Sequence, residues 1–427
     1  MSAASPRAGL PASQDRGAYL REIGGILWPP PAAVTITSTG PGLWPGRGNG
    51  RARTRAPAEP VQSEFVVLPG LSRPRLLVPP AARPAAAAVR RYGEPGSRVT
   101  RLAARTLSLV MASGLGRVVL RGRVLVHAPP GTQTIESYLR EALGRDVSIS
   151  MHLGEPRANR KPVLQLVTAR GEPAGFAKVG VNPLTCELVR AERDALTRLG
   201  RAALASLTVP RVLHYGQWHG LDVLVLGTLP VWRRRRPVAR PQLAAAMSEI
   251  AGLDGLRRSP VAGGSYLRRL TGRLAAADAS AERDAVAAAL DAVAARADGT
   301  LLAFGAWHGD WTPWNMASTD RGLLVWDWER FTRDVPVGFD ALHYWLQAEV
   351  VPGRGEPRAA ASGCIDRAPE LLAPFGGGPA EARLTAILYL ADLATRYLAD
   401  RQGAAGAKLG QPGAWLIPAI TAAAAGP

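Results

Sequence analysis

The chain has 427 residues, 47% of them hydrophobic, enough for two or three domains with a sizeable core. The formal net charge is +18 and the pI about 11.0, and nearly all of the positive charge is arginine, because lysine occurs only at Lys161, Lys178 and Lys408. Such a balance suits a nucleic-acid or anionic-membrane partner, but Ala, Arg, Gly and Pro are heavy everywhere, so we read the charge as compositional and expect no nucleic-acid partner. Two cysteines, Cys186 and Cys364, lie far apart in no metal-like spacing, which excludes a disulfide framework. No uncharged apolar run approaches the ~18 residues of a membrane-spanning helix. The first residues lack the apolar core of a secretory signal, and the cytoplasm is the expected compartment.

Residues 1–60, rich in Pro, Gly, Arg and Ala, are expected to be disordered and dispensable, apart from a short amphipathic piece at 18–27. Residues 61–146 are expected to form an N-terminal α/β extension. Its predicted parts are strands at 64–68 and 75–78 around Pro69-Gly70, helices at 82–91 and 97–113, a strand at 118–126, and a helix at 135–143 that Gly144 can end. No chemical motif marks this part. The pattern changes at residue 147 to short strands at 147–151, 163–167 and 175–179, with a polar loop at 154–161 after the first. Lys178 falls on the third strand, and a helix at 184–199 carries Glu192. Strands at 208–214 and 221–226 run into a break at Gly227-Thr228-Leu229-Pro230. Four arginines, Arg233 to Arg236, follow and read as a solvated loop. Beyond residue 240, apolar residues recur at three- and four-residue steps, which predicts helices at 242–253, 265–277, 281–295, 339–348, 369–373 and 384–399. Residues 403–427 are expected to be a loosely held tail with one helix at 415–424.

The chemistry concentrates in His308 to Asp327, HGDWTPWNMASTDRGLLVWD. Asp310 sits in a polar turn, Asn315 follows five residues later, and a turn at Asp320-Arg321-Gly322 leads into an apolar strand that ends on Asp327. Two carboxylates and a carboxamide are oxygen donors, the ligands that Mg²⁺ prefers beside a phosphate. Their order is that of a kinase: an Asp for the acceptor hydroxyl, then an Asn and a later Asp for metal.

His308-Gly309-Asp310 with Asn315, then Val325-Trp326-Asp327-Trp328-Glu329 and Gly338-Phe339-Asp340-Ala341-Leu342, resembles the aminoglycoside phosphotransferase and choline kinase family. The resemblance covers residues 147 to 400. It implies an α+β, bilobal, protein-kinase-like fold with an antiparallel-sheet N-lobe (147–230) and a mostly helical C-lobe (231–402). It implies Asp310 as the residue orienting the acceptor hydroxyl, His308 as a loop-shaping residue beside it, and Asn315 and Asp327 as Mg²⁺ ligands. It places Lys178 on the phosphates of ATP, with Glu192 positioning Lys178. Gly154 falls in the loop over the phosphates, although that loop has one glycine where kinases carry a Gly-x-Gly-x-x-Gly set. Leu226 and Thr228 fall at the adenine-binding hinge. Glu329 stands beside the metal ligands, and Asp340 bonds back to the catalytic turn.

The function implied is transfer of the γ-phosphoryl group of ATP to a hydroxyl of a small molecule: a sugar, an aminoglycoside or an amino alcohol. The competing reading is a kinase-fold scaffold without turnover. Trp311, Trp314, Trp328, Tyr344 and Trp345 either form a stacking wall for the acceptor or pack the C-lobe. ATP against GTP, and the oligomeric state, stay open.

Overall fold

The computed structural model describes residues 16–38, 59–93, 98–232, 234–320, 322–353, 355–407 and 409–426. The expectations for residues 1–15 and 39–58, and for Arg233 and Arg321, lie outside them.

The first half of the chain contributes α1 (Arg16–Leu27), β1 (Ala33–Thr37), β2 (Val61–Leu68), β3 (Leu76–Val78), α2 (Ala82–Gly93), α3 (Arg98–Ala112), α4 (Gly116–Val119), β4 (Arg123–His127) and α5 (Ile135–Leu143). It continues with β5 (Ser148–His152), β6 (Val163–Val167), β7 (Pro173–Val179), α6 (Pro183–Leu199), β8 (Leu207–Thr208), β9 (Val212–Trp218) and β10 (Leu221–Leu226). Nine of these strands form one antiparallel sheet in the order β1-β4-β2-β3-β5-β6-β7-β10-β9. Alternating apolar residues explain it: Phe65, Val67, Val124, Val126, Ile149, Leu164, Ala177 and Val225 bury one face against Leu20, Ile23, Leu27 and Trp28. The helices carry their own stop and start signals. Thr134 caps α5, left-handed Gly144 ends it, and Asn182 with Pro183 opens α6.

Several expectations change here. Residues 16–38 are ordered: α1 and β1 belong to the sheet core, because Tyr19, Leu20, Ile23 and Leu27 make one apolar face that a composition count over sixty residues hides. The N-terminal extension shares its sheet with the strands that follow, since β3 pairs with β5 (Leu76 with His152, Leu77 with Met151) and carries the sheet across residue 146. The strand expected at 118–126 begins only at Arg123, after the helical turn α4. Pro210 interrupts the strand expected at 208–214, which divides into β8 and β9.

The second half contributes α7 (Arg240–Ala251), β11 (Arg257–Pro260), α8 (Ser265–Ala275), α9 (Ala281–Arg296), β12 (Leu301–Trp307), β13 (Met316–Thr319), β14 (Gly322–Val325), β15 (Thr332–Pro336), α10 (Phe339–Val350), α11 (Pro357–Asp366), α12 (Ala368–Leu372), α13 (Pro379–Ala399) and α14 (Leu416–Ala425). Two small sheets, β11-β12-β15 and β13-β14-β8, carry the stretch from His308 to Asp327. The helices close around α13, where Leu388, Tyr389, Leu390 and Ala391 are fully buried. The expected loose tail is part of this core: Trp415, just before α14, and Leu416 and Ile420 of α14 are buried in the same cluster. The molecule is therefore α+β and bilobal, a sheet-built lobe followed by a helical one. Among the described residues no helix is long and apolar enough to cross a membrane.

Candidate active site

Strand β12 delivers the chain to His308-Gly309-Asp310, and three bonds fix that turn. The buried Asp340 carboxylate accepts from the His308 N–H (2.8 Å) and the Gly309 N–H (3.2 Å), and Arg396 donates to the Gly309 carbonyl (2.6 Å). Gly309 has φ 84°, and a Cβ there would stand 2.1 Å from the Arg330 carbonyl oxygen, so only glycine fits. Burial pushes the Asp340 carboxyl up to about 7, against the pull of the two N–H donors.

His308 is fully buried between Trp311 and Trp328. Its Nδ1 accepts from the Asp310 N–H (3.1 Å), so Nε2 carries the proton and donates to the Trp326 carbonyl (3.0 Å). Burial lowers its pKa to about 4. The imidazole is thus a neutral brace between the two acidic ends of the stretch, in keeping with a loop-shaping residue.

The Asp310 side chain is 37% exposed. One carboxylate oxygen accepts from the Asn315 amide (2.9 Å), which also donates to the Asp310 carbonyl (2.9 Å). The other accepts from Nε2 of His343 on α10 (3.1 Å), whose Nδ1 meets the Tyr389 hydroxyl of α13 (3.0 Å). Burial is the largest single influence and works against the charge of Asp310, but the His343 hydrogen bond and the nearby His343 and Arg396 together hold its pKa below the ordinary value. Burial holds His343 itself low, so it is a neutral donor.

Strands β13 and β14 pair Met316 with Val325, and Trp326 N–H bonds the Asn315 carbonyl (3.0 Å). That register sets Asn315 beside Asp327. Asp327 takes a left-handed backbone, φ 71°, uncommon for a residue with a Cβ and tolerated by aspartate. Its carboxylate meets the Lys178 ammonium at 2.6 Å, and the fully buried Glu192 of α6 meets the same ammonium at 2.6 Å. Glu192 also accepts from the Trp328 N–H (3.3 Å). Burial opposes every charge in this knot. The carboxylates nevertheless raise Lys178 above its ordinary value, Lys178 and Lys161 hold Asp327 low, and burial leaves Glu192 raised.

The structure thus brings together Asp310, His308 and Asn315, and, a strand's end away, Asp327, Lys178 and Glu192. The polar loop between β5 and β6 reaches them through other residues than Gly154. Asn159 (3.2 Å) and Lys161 bond Glu329, and Ala158 N–H bonds the Gln402 side chain (3.3 Å). Gly154 stands at the outer start of the loop, next to the Glu155 that pairs with Arg16. At the hinge, Leu226 ends β10 and its carbonyl lies against Gly175, while Gly227 N–H bonds the Arg211 carbonyl (2.8 Å). Thr228 is the next, half-buried, unit. The aromatic set divides: Trp311 and Trp328 are core, whereas Trp314 is 39% exposed. Sequence reasoning missed His343, Tyr389, Arg396 and Lys161. A signal for His343 existed, since it lies one turn after Asp340 on the same helix face.

The donor types fit a hard cation: Asp327 offers a carboxylate, and the Asn315 amide nitrogen is already spent on Asp310, which leaves its side-chain carbonyl oxygen for another partner. Carboxylate oxygens of Glu192, Asp327 and Glu329 also lie within 4.8 Å of one another.

The fold is α+β and bilobal, in the protein-kinase-like class. Within that class, residues 181–374 match the model of the phosphotransferase enzyme family known as APH, a span that runs from the start of α6 past α12. No curated protein matches the chain by sequence. Among solved structures it is similar to a thermostable mutant of the aminoglycoside phosphotransferase APH(4)-Ia in ternary complex with ADP and hygromycin B, at 18% identity and a TM-score of 0.44, covering 69% of this chain and 100% of that one. It is also similar to the choline kinase LicA from Streptococcus pneumoniae, at 13% identity and a TM-score of 0.42, covering 67% of this chain and 99% of that one.

Proposed function

We propose that the protein transfers the γ-phosphoryl group of ATP to a hydroxyl of a small molecule, with Asp310 orienting that hydroxyl. The observation that carries the reading is the state of Asp310: an ionised, part-exposed carboxylate gripped by two neutral donors, beside a lysine–carboxylate knot. Each carboxylate oxygen keeps a lone pair for an incoming O–H.

In this reading the acceptor oxygen attacks the γ-phosphorus, the bond to the β-phosphate oxygen breaks, ADP leaves, and the hydroxyl proton passes to Asp310. A carboxylate is a weak base, which suffices in a loose transition state where positioning and charge neutralisation do most of the work. Lys178 meets the nucleotide phosphates, with Glu192 holding it in place. Asn315 and Asp327 would hold Mg²⁺, which would supply neutralisation of charge on the phosphates. The Leu226 and Thr228 backbone meets the adenine edge. The sugar, aminoglycoside and amino-alcohol classes of acceptor are equally compatible with the site.

The test pairs ATP titration with ADP release over a library of hydroxylated acceptors. Asp310→Asn should leave ATP affinity nearly unchanged and lower kcat by roughly a hundredfold or more. Lys178→Ala should weaken ATP binding and slow turnover together. Wild type that binds ATP yet releases no ADP with any acceptor would make the protein a scaffold. Unchanged turnover in Asp310→Asn would remove Asp310 from the chemistry.

A further inference from the structure

The arginine content is not uniform. Residues 65–135 hold eleven Arg and one acidic residue, Glu94, so a sixth of the chain carries more than half of the net charge of +18. From residue 95 to residue 135 there are six Arg and no Asp or Glu. This stretch contains the helices α3 and α4, which the proposed phosphotransfer does not use.

Helix α3 is apolar on two sides. Its inner side packs on α2: Met111 is buried with Ala85, Ala86, Ala88 and Val89, Leu107 lies against them, and the Ser108 hydroxyl donates to the Ala86 carbonyl (2.9 Å). Its outer side carries Leu102 and Leu109, two turns apart, 66% and 72% exposed. Arg105 and Thr106 lie between them and are exposed as well. Beyond the turn, Leu115 and Val119 are 58% and 66% exposed, and exposed Arg121 follows. These are four of the most exposed large apolar side chains among the described residues, all within eighteen positions.

We propose that the α3–α4 ridge docks on an anionic membrane surface. Leu102, Leu109, Leu115 and Val119 enter the boundary between headgroups and acyl chains, while Arg105 and Arg121 meet lipid phosphates. Leu102, Arg105 and Leu109 interleave on the exposed side of α3, and Leu115, Val119 and Arg121 are exposed in the segment that follows, a mixture that matches that boundary, where apolar and anionic groups lie a few ångströms apart. A protein partner fits less well: four separated side chains fall short of the ~800 Å² per partner of a stable interface. Nucleic acid would engage the arginines and leave the leucines in water. With no spanning helix among the described residues, the attachment is peripheral and salt-sensitive.

The test uses the full chain in co-sedimentation with vesicles of phosphatidylcholine alone and of phosphatidylcholine mixed with phosphatidylglycerol. The mixed vesicles should bind it and the neutral ones should not. Leu102→Asp with Leu109→Asp, both exposed and checked for an unchanged melting temperature, should weaken binding by roughly a hundredfold, and Arg105→Ala by roughly fivefold. Three outcomes overturn the inference: no binding to the mixed vesicles, binding that the double variant leaves intact, or a double variant that changes oligomeric state while wild type ignores vesicles. Binding to a duplex oligonucleotide in place of vesicles would assign the arginines to nucleic acid and overturn it too.

Discussion

Asp327 and Asp310 lie at opposite ends of one twenty-residue stretch, and their surroundings hold them in opposite ways. Asp327 is locked by charge: Lys178 at 2.6 Å, shared with Glu192. Asp310 takes its side-chain hydrogen bonds from neutral groups, the Asn315 amide and the His343 imidazole, with the Arg396 charge further off. An ion pair fixes a carboxylate by cancelling its charge, whereas neutral hydrogen bonds fix it and leave the charge in place. Under the proposed function, one corner would exchange partners, lysine for cation and phosphate, and the other would keep one orientation while its negative charge stays usable.

The comparison can be broken first at Asp327. Asp327→Ala removes the hard anionic ligand and leaves Lys178 with Glu192, so the fold should survive while Mg²⁺-dependent ADP release falls to background. Wild-type rates across a Mg²⁺ titration would take Asp327 out of the site. His343→Phe sharpens the other corner. Asp310 would lose its second anchor, and kcat should fall on the order of tenfold while ATP affinity holds. Tyr389→Phe, one bond further out, should show a smaller fall in the same direction, and equal losses in ATP affinity and kcat would mean that the helix has shifted as a whole.

The smallest effect is on stability. Neutral His308 has its pKa lowered to about 4 from 6.5. Its contribution is complete above pH 6.5 and is lost as pH falls toward 4, about 3 kcal/mol over the full window. Asp340, raised to about 7, has the opposite sign: its contribution is present at acid pH and lost as pH rises through 7. The difference in urea midpoint between wild type and His308→Asn should therefore shrink from pH 7 to pH 4. A constant difference would mean that His308 is not held neutral.

The stretch from His308 to Asp327 was legible because its chemistry is contiguous, and one turn and one strand set its geometry. Lys178 and Glu192 were legible through a strand–helix order. His343 and Tyr389 reach Asp310 from 33 and 79 positions further along the chain, a proximity that only the packing of α10 against α13 creates. Strands β11 (RRSP) and β15 (TRDVP) are short, charged and proline-bearing, so their pairing with β12 leaves no local trace. Helix α14 was undervalued for its alanines, which are what let it pack closely against α9 and α13.

Lys161 on the loop between β5 and β6 already grips an anion, the buried Glu329 carboxylate. Asn159 of the same loop donates to that carboxylate as well (3.2 Å). The loop is therefore tied, by one charged and one neutral bond, to the residue two positions past Asp327, so a displacement of the loop is transmitted directly to the strand end that carries Asp327.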